Sequence, residues 1–370
     1  MRILATADTV GGVWTFAIEL ASALAPHSVE IVLATMGVPM TSQQRREAEQ
    51  CPNISAFESN YKLEWMDDPW EDLHRAGQWL LDLESRLHPD VVHLNGYVHA
   101  SLPWRSPTVV TAHSCVLSWW KAVKGEPAPS SWNRYSQAVK QGLWNADLVV
   151  APSQAMLASL LTHYGSLPRT RIIANARNPS LFRPWDTKQE MVLTAGRIWD
   201  QAKNIAALEA VAHRLDWPVY IAGEDQSREE NQLTTPNVHR LGRLPAEEMR
   251  LWFARAAVYA HPARYESFGL APLEAALSRC ALVLGDIPSL REIWQDAAVF
   301  VPPNDIDAIE AQLKLVIADP ERREALAGRA FSRALHYMPQ RMAHEYLSAY
   351  RHVLQRRRAV LQAAMSPFSG

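Results

Sequence analysis

Short apolar runs recur along the chain, separated by longer stretches whose apolar residues return every three or four positions. Residues 3–6, 29–34, 91–94, 108–112 and 148–151 are such runs, with 171–173 after them. None alternates strictly between apolar and polar. That predicts parallel strands covered on both faces rather than half-solvated antiparallel ones. Residues 14–24, between the first two runs, carry the helical period. Strands alternating with helices predict a doubly wound sheet. The pattern breaks at Asn178-Pro179-Ser180-Leu181-Phe182-Arg183-Pro184, where two prolines mark a linker. It then restarts, with strands at 191–195, 219–222, 238–241, 258–260, 281–285 and 298–301 and a helix at 205–214. Three helical stretches close the chain, at 306–317, 320–337 and 341–355.

The fold class is therefore α/β, with two Rossmann-like domains, 1–178 and 179–338, and a C-terminal helical segment, 339–370, packing back toward the first. The length of 370 residues supports this division, because one compact core rarely spans so much chain. Ligands of doubly wound sheets bind outside the carboxyl ends of the strands, so a cleft between two facing domains is the expected site.

Composition narrows the partners. A net charge of −2 carries no basic excess, which excludes nucleic acid. The single basic run, Arg356-Arg357-Arg358, reads as a solvated helix face. Three scattered cysteines, Cys51, Cys115 and Cys280, form no CxxC pair and suit a reducing compartment. The start, Met1-Arg2-Ile3-Leu4-Ala5, does not read as a signal peptide, and no apolar stretch reaches the roughly 18 residues of a membrane span. A cytoplasmic protein is expected, with peripheral contact at the inner membrane face left open.

The chemistry concentrates in a few loops. In Pro262-Ala263-Arg264-Tyr265-Glu266-Ser267-Phe268-Gly269-Leu270-Ala271-Pro272-Leu273-Glu274 a strand leads into a loop, and a helix starts near Gly269 or Leu270. A helix N-terminus presents unpaired N–H groups and partial positive charge, which suit a diphosphate. Glu266 falls in the loop and Glu274 about a turn into the helix. Each carboxylate suits a pair of neighbouring hydroxyls, as sugars and ribose offer. In Ala195-Gly196-Arg197-Ile198-Trp199-Asp200-Gln201-Ala202-Lys203-Asn204, Arg197 and Lys203 can reach phosphate oxygens, one as a planar fork and one as a point charge. Gly11-Gly12 lies between the first strand and the first helix, either as a tight turn or as a binding loop. His113 ends a strand and can face a ligand or serve the core; His93 and His99, around Asn95-Gly96-Tyr97, are weaker candidates.

Other patterns are set aside. Asp305-Ile306-Asp307 has the text of a metal-binding DxD but precedes a helix and reads as its cap. No HExxH or clustered Cys/His motif occurs, so no catalytic metal and no cofactor is expected. Ser153 lacks a GxSxG context, which argues against a serine hydrolase. Nine of the fourteen tryptophans precede residue 180, and Trp119-Trp120 follows soon after His113. Aromatic faces stack on sugar rings, so this pair is placed on the acceptor side, beside the readings of core packing and of a membrane-facing patch.

Together these residues resemble the retaining glycosyltransferases of the GT-B fold, the group 1 family (glycosyltransferase family four). The resemblance runs through Gly11-Gly12, Val150-Ala151-Pro152-Ser153, Gly196-Arg197, Lys203-Asn204, Gly223-Glu224-Asp225, Leu241-Gly242, the Glu266/Glu274 pair, Pro288-Ser289-Leu290-Arg291-Glu292 and Met342-Ala343 with Glu345-Tyr346. It implies two Rossmann-like domains facing a central cleft, with a C-terminal helix crossing back. It implies His113 and Glu266 as the catalytic residues beside the transferred sugar. Gly12, Arg197, Lys203, Phe268, Gly269 and Leu270 would bind the donor diphosphate, Glu274 the ribose, and the stretch from Arg240 to Leu244 the base. The donor would be a nucleoside diphosphate sugar, uridine diphosphate preferred and guanosine diphosphate mannose second. The acceptor would be a saccharide, lipid-linked or small-molecule hydroxyl. Front-face substitution, with the leaving phosphate helping to deprotonate the acceptor, is the implied course, and no base is assigned. An epimerase or a non-catalytic nucleotide-sugar binder on the same fold is the alternative. The chain departs from the family at Asn175-Ala176-Arg177-Asn178, where Asn-Gly is common, and in the short polar segment 225–237.

Overall fold

A computed structural model describes residues 1–224 and 236–365 of the chain. Most of the polar segment 225–237 lies outside the described residues. The chain forms two units. One comprises Met1–Ser118, Pro127–Ala174 and Pro339–Gly370, and the other Trp119–Glu126 and Asn175–Met338. The break expected at 178/179 falls at 174/175. Residues 119–126, expected in the first domain, group with the second unit, because Trp119 and Lys124 hydrogen-bond to Asp200 and Gln201 there.

The first unit is built on seven strands, β1 (Arg2–Asp8), β2 (Glu30–Met36), β3 (Ile54–Glu58), β4 (Val91–Leu94), β5 (Thr108–Thr111), β6 (Leu148–Ala151) and β7 (Thr170–Ile172). All pairings are parallel, in the order β3-β2-β1-β4-β5-β6-β7. The central strands β4, β5 and β6 are buried at every position, as continuous apolar runs require. Strand β3 is missing from the sequence reading. It is an edge strand with Ser55, Ala56 and Glu58 exposed, so it carries no apolar run. The winding direction reverses at β1, which pairs with both β2 and β4. The loops after β1 and β4 therefore flank the switch point where such sheets bind ligands.

The second unit has six parallel strands, β8 (Gln189–Ala195), β9 (Val219–Ala222), β10 (Val238–Gly242), β11 (Ala256–His261), β12 (Ala281–Gly285) and β13 (Val299–Val301), in the order β10-β9-β8-β11-β12-β13. Its switch point lies between β8 and β11, in register at Leu193 and Tyr259. The loops carrying Arg197/Lys203 and Glu266 leave these two adjacent strands. The core between sheet and helices is aliphatic, with Leu208, Val211, Val219, Ile221, Val258, Val283 and Leu313 fully buried.

The helix Pro339–Met365 extends past both expected ends and belongs to the first unit. Met342, Ala343, Tyr346, Leu347, Ala349, Tyr350 and Val353 are buried. The polar atoms they carry inward are paired. His93 Nδ1 lies 2.8 Å from the Tyr350 hydroxyl and His93 Nε2 lies 2.7 Å from Thr111 Oγ1, which in turn meets the Tyr346 hydroxyl at 3.0 Å. Burial of these groups without partners would cost about 1–3 kcal/mol each. Arg357, read as part of a solvated face, instead donates to the carbonyls of Trp104 and Arg105, while Arg356 and Arg358 are exposed. Asp305 caps the helix Ile306–Ala318 through the Ala308 N–H, as read from the sequence. Among the described residues no helix is long and apolar enough to cross a membrane.

Burial, with the neighbouring His113 adding to it, pushes the His93 pKa down to about 3 from 6.5. The unfolded chain thus takes up a proton below pH 6.5 that the folded chain refuses until about pH 3. Stability is full above pH 6.5 and falls with acid, by about 1.4 kcal/mol per pH unit from this residue within that window. Denaturant titrations from pH 6.5 to 4.5 should show His93→Gln with a shallower loss than the wild-type protein.

Candidate active site

The second unit holds the residues expected on the donor side. Gly269 has φ of +91°, a left-handed conformation that glycine adopts without strain, and it caps the helix Leu270–Leu277. An added Cβ would also press on Pro272. The first-turn N–H groups of the helix have no intrahelical acceptor and face outward from the loop end. Phe268 is only 1% exposed and packs edge-on against Tyr337, so its backbone alone can meet a ligand. These local features follow from the sequence: a strand, a loop held by proline, then glycine before an Ala/Leu helix.

Glu266 is the hub of the loop. Its carboxylate receives Lys203 Nζ at 2.6 Å and faces His261 Nε2 at 3.3 Å, while its carbonyl accepts from the Ser289 hydroxyl. Burial alone would raise its pKa, but the Lys203 charge and the His261 hydrogen bond outweigh it and hold the carboxyl well below its usual range. Burial pushes the His261 pKa down, so the ring is neutral and donates from Nε2. The Lys203 and Glu266 side chains are 16% and 14% exposed, which makes this a largely desolvated pair.

The loop after β8 is two successive turns. Asp200 N–H donates to the Arg197 carbonyl at 3.1 Å, and Lys203 N–H donates to the Asp200 carbonyl at 2.9 Å. Arg197 Nη2 meets Asp200 Oδ2 at 2.7 Å, and its guanidinium lies 5.3 Å from the Trp199 ring. Gly223 lets β9 close on this loop, since a Cβ there would sit 1.8 Å from the Gly196 carbonyl oxygen. Both loop cations therefore have a carboxylate partner. Glu274, a turn into its helix, is paired with Arg177 at 2.7 Å. Arg177 stands in the segment where the chain departs from the family pattern.

The remaining expected residues fall elsewhere. Arg240 lies on the outer strand β10 and is salt-bridged to Glu209; Leu244 is half-buried beyond it. Trp119 and Trp120, read as acceptor-side, meet edge-to-face at 5.8 Å within the second unit, and the Trp119 indole N–H donates to Asp200 Oδ1 at 3.0 Å.

In the first unit, Gly12 opens the helix Gly12–Leu24 behind Gly11, whose φ is +97°. His113 follows β5, and its Nε2 lies 2.8 Å from Asn95 Oδ1. The Asn95 amide is oriented, because its Nδ2 donates to the Thr6 carbonyl at 2.6 Å. His113 therefore carries its proton on Nε2, which leaves Nδ1 as an acceptor. Burial pushes its pKa down to about 3, so the ring is neutral. Among the described residues no group of three or more His, Cys, Asp or Glu could hold a metal ion.

Asn95, Arg177, Asp200, His261 and Ser289 escaped the sequence reading as site residues. Asp200 had a signal, its place three residues after Arg197 in one loop. Asn95 had one too, since it ends β4 at the switch point. Arg177, His261 and Ser289 are brought in by tertiary packing.

Two family models together cover most of the chain. Glycosyl transferases group 1 matches residues 182–333, and Glycosyltransferase Family 4 matches residues 10–181. The α-maltose-1-phosphate synthase of Mycolicibacterium smegmatis is 29% identical over 62% of this chain and 69% of its own length. A D-inositol 3-phosphate glycosyltransferase of Frankia alni is 25% identical over 93% of this chain and 95% of its own. Among solved structures, sucrose-phosphate synthase from Thermosynechococcus elongatus superposes with a TM-score of 0.82 at 17% identity, covering 96% of this chain and 99% of that one. Anabaena HepE in complex with UDP-glucose does so with a TM-score of 0.74 at 16% identity, covering 94% and 100%. These structural likenesses establish the fold.

Removing one member of a buried ion pair strands the other. Lys203→Met should destabilise the protein by about 3–5 kcal/mol at neutral pH. The stranded Glu266 then has a raised pKa, so the variant regains stability on acidification as the carboxyl takes up a proton. Denaturant melts of the double variant Lys203→Met/Glu266→Gln should recover most of the loss.

Proposed function

Because the chain belongs to the group 1 glycosyltransferases and has their GT-B fold, we propose that it transfers a hexosyl group from a nucleoside diphosphate sugar to an acceptor hydroxyl, with retention of anomeric configuration and without a metal or other cofactor. The observation that carries this reading is the Lys203–Glu266 pair at the switch point of the second sheet, beside a glycine-capped helix start. Each part has a task in that reaction. The diphosphate gains negative charge as the glycosidic bond breaks, and Arg197, Lys203 and the N–H groups of Gly269 and Leu270 are the groups that stabilise it. Glu266, ionised at neutral pH, accepts hydrogen bonds from donor-sugar hydroxyls, and Glu274 accepts them from the ribose.

In the first unit, Gly12 is assigned to the diphosphate and His113 to the transferred sugar. A neutral His113 with a free acceptor lone pair can receive a hydroxyl proton in a hydrogen bond but does not become a cation until the pH is near 3. No side chain is assigned as nucleophile. The acceptor proton passes to the leaving diphosphate on the face where the acceptor attacks. A uridine diphosphate sugar is the favoured donor, since HepE was solved with UDP-glucose, and guanosine diphosphate mannose is second, since mannosyltransferases stand among the relatives. The acceptor is a saccharide, lipid-linked or small-molecule hydroxyl.

A thermal-shift panel of nucleoside diphosphate sugars identifies the donor, because a ligand that binds only the folded state raises the melting temperature with its affinity. With that donor, Glu274→Gln should weaken nucleotide binding and cut transfer at least about tenfold while the fold persists. Full activity in this variant would remove Glu274 from the site. Proton NMR of the first-formed product should show the donor's anomeric configuration. An inverted product, or an epimerised donor with no transfer, would overturn the reading.

A further inference from the structure

Asp200 is matched to its neighbours oxygen by oxygen. Oδ1 accepts from the Ala202 N–H at 3.0 Å and from the Trp119 indole N–H at 3.0 Å, and Oδ2 receives Arg197 Nη2 at 2.7 Å. Its backbone joins the two turns that carry Arg197 and Lys203. The residue is 6% exposed, whereas the Arg197 side chain is 36% exposed. The carboxylate is thus the fixed partner, and the more exposed guanidinium is the group it holds. Among the described residues Arg197 Nε is buried and has no hydrogen-bond partner, so the Asp200 carboxylate is the contact that orients the guanidinium. The helix Val116–Lys124 reinforces the loop at a second point, where Lys124 Nζ donates to Gln201 Oε1 at 2.7 Å.

Two roles fit an aspartate beside a phosphate-binding arginine, and they predict opposite signs. A mask occupies the arginine and must leave when an anion arrives, so its removal tightens anion binding. A brace orients the arginine and stays, so its removal loosens binding even though the site becomes more positive. A group that masks must be able to swing away. Asp200 is buried and held on its other oxygen by two N–H donors from separate segments, which fixes it in place.

We propose that Asp200, fastened by the Trp119 indole, is a positioning residue that braces Arg197 for the donor diphosphate. This rests on the reading of Arg197 as a diphosphate ligand. It also gives Trp119 a donor-side duty in place of the acceptor-side one read from the sequence. Conformational freedom that the arginine would otherwise lose on binding is removed beforehand, so the benefit falls on phosphate recognition and not on the base or ribose.

Asp200→Asn isolates the brace, because the amide oxygen can keep the Trp119 and Ala202 bonds while its NH2 group faces Arg197 and cannot accept from it. Titration calorimetry with UDP and GDP, each beside its nucleoside, measures the effect. For the nucleotide that binds, Asp200→Asn should weaken diphosphate affinity about tenfold and leave nucleoside affinity unchanged. Trp119→Phe should weaken it about threefold in the same selective way. In an Arg197→Ala background Asp200→Asn should have no further effect, since the brace acts through the arginine. Unchanged or tighter diphosphate binding in Asp200→Asn overturns the proposal, as does equal loss of nucleoside and nucleotide. If Asp200→Asn fails to fold, the Trp119→Phe result decides by the same criterion. An Arg197→Ala variant that binds diphosphate normally overturns the site reading itself, a separate outcome.

Discussion

A cation held largely out of water needs a counter-charge close by, and the loops of the second unit are organised around that constraint. An unpaired buried ammonium or guanidinium is costly, and the protein meets the cost by giving each cation a carboxylate within its own or a neighbouring loop. Lys203 and Glu266 come from loops that leave adjacent strands β8 and β11, so one ion pair also fixes the spacing of those loops. Parallel winding makes this possible. Only at the point where strand order reverses do two neighbouring strands send their following loops apart from one another, leaving a crevice that side chains of both can line.

The same pairing sets the protonation states that recognition needs. Glu266 stays ionised because Lys203 and His261 outweigh the effect of burial, and so it is an acceptor toward hydroxyls throughout the neutral range. Asp200 is held below its usual range against burial by Arg197 and Lys203 together. In the first unit the logic inverts. His93 and His113 have no acidic partner beside them, and burial keeps both neutral. The second unit's loops thus carry paired charge, and the ends of β4 and β5 in the first unit offer neutral hydrogen-bonding groups.

Most of this was legible where local chemistry decides it. Continuous apolar runs announced the buried parallel strands, and Pro179 and Pro184 announced the break between the halves. Gly269 marked a helix start that needs a left-handed residue, and Asp305 proved to be the cap its position suggested. What escaped notice depends on partners far away in sequence. Strand β3 has two half-buried and three exposed residues and exists because β2 offers it an edge. Arg177 looked like a departure from a familiar turn, and its meaning as the partner of Glu274 appears only when the linker is folded against the helix. Trp119 read as an acceptor-side aromatic because it follows His113 in the chain. Its indole N–H, a donor that needs an acceptor when buried, is satisfied across 81 residues by Asp200.

The helix Pro339–Met365 closes the first sheet although it follows the whole of the second unit in the chain. On the ribosome, residues 1–174 emerge with His93 and Thr111 lacking Tyr346 and Tyr350, and with Phe16 uncovered on the side where Tyr346 later packs. The second unit, whose segments are complete by Met338, is finished before the first. The half that begins first in the chain is therefore the one whose segments are complete last. A chain cut after Met338 would present a finished second unit joined to an open-faced sheet, which is the form that quality-control proteases and chaperones recognise.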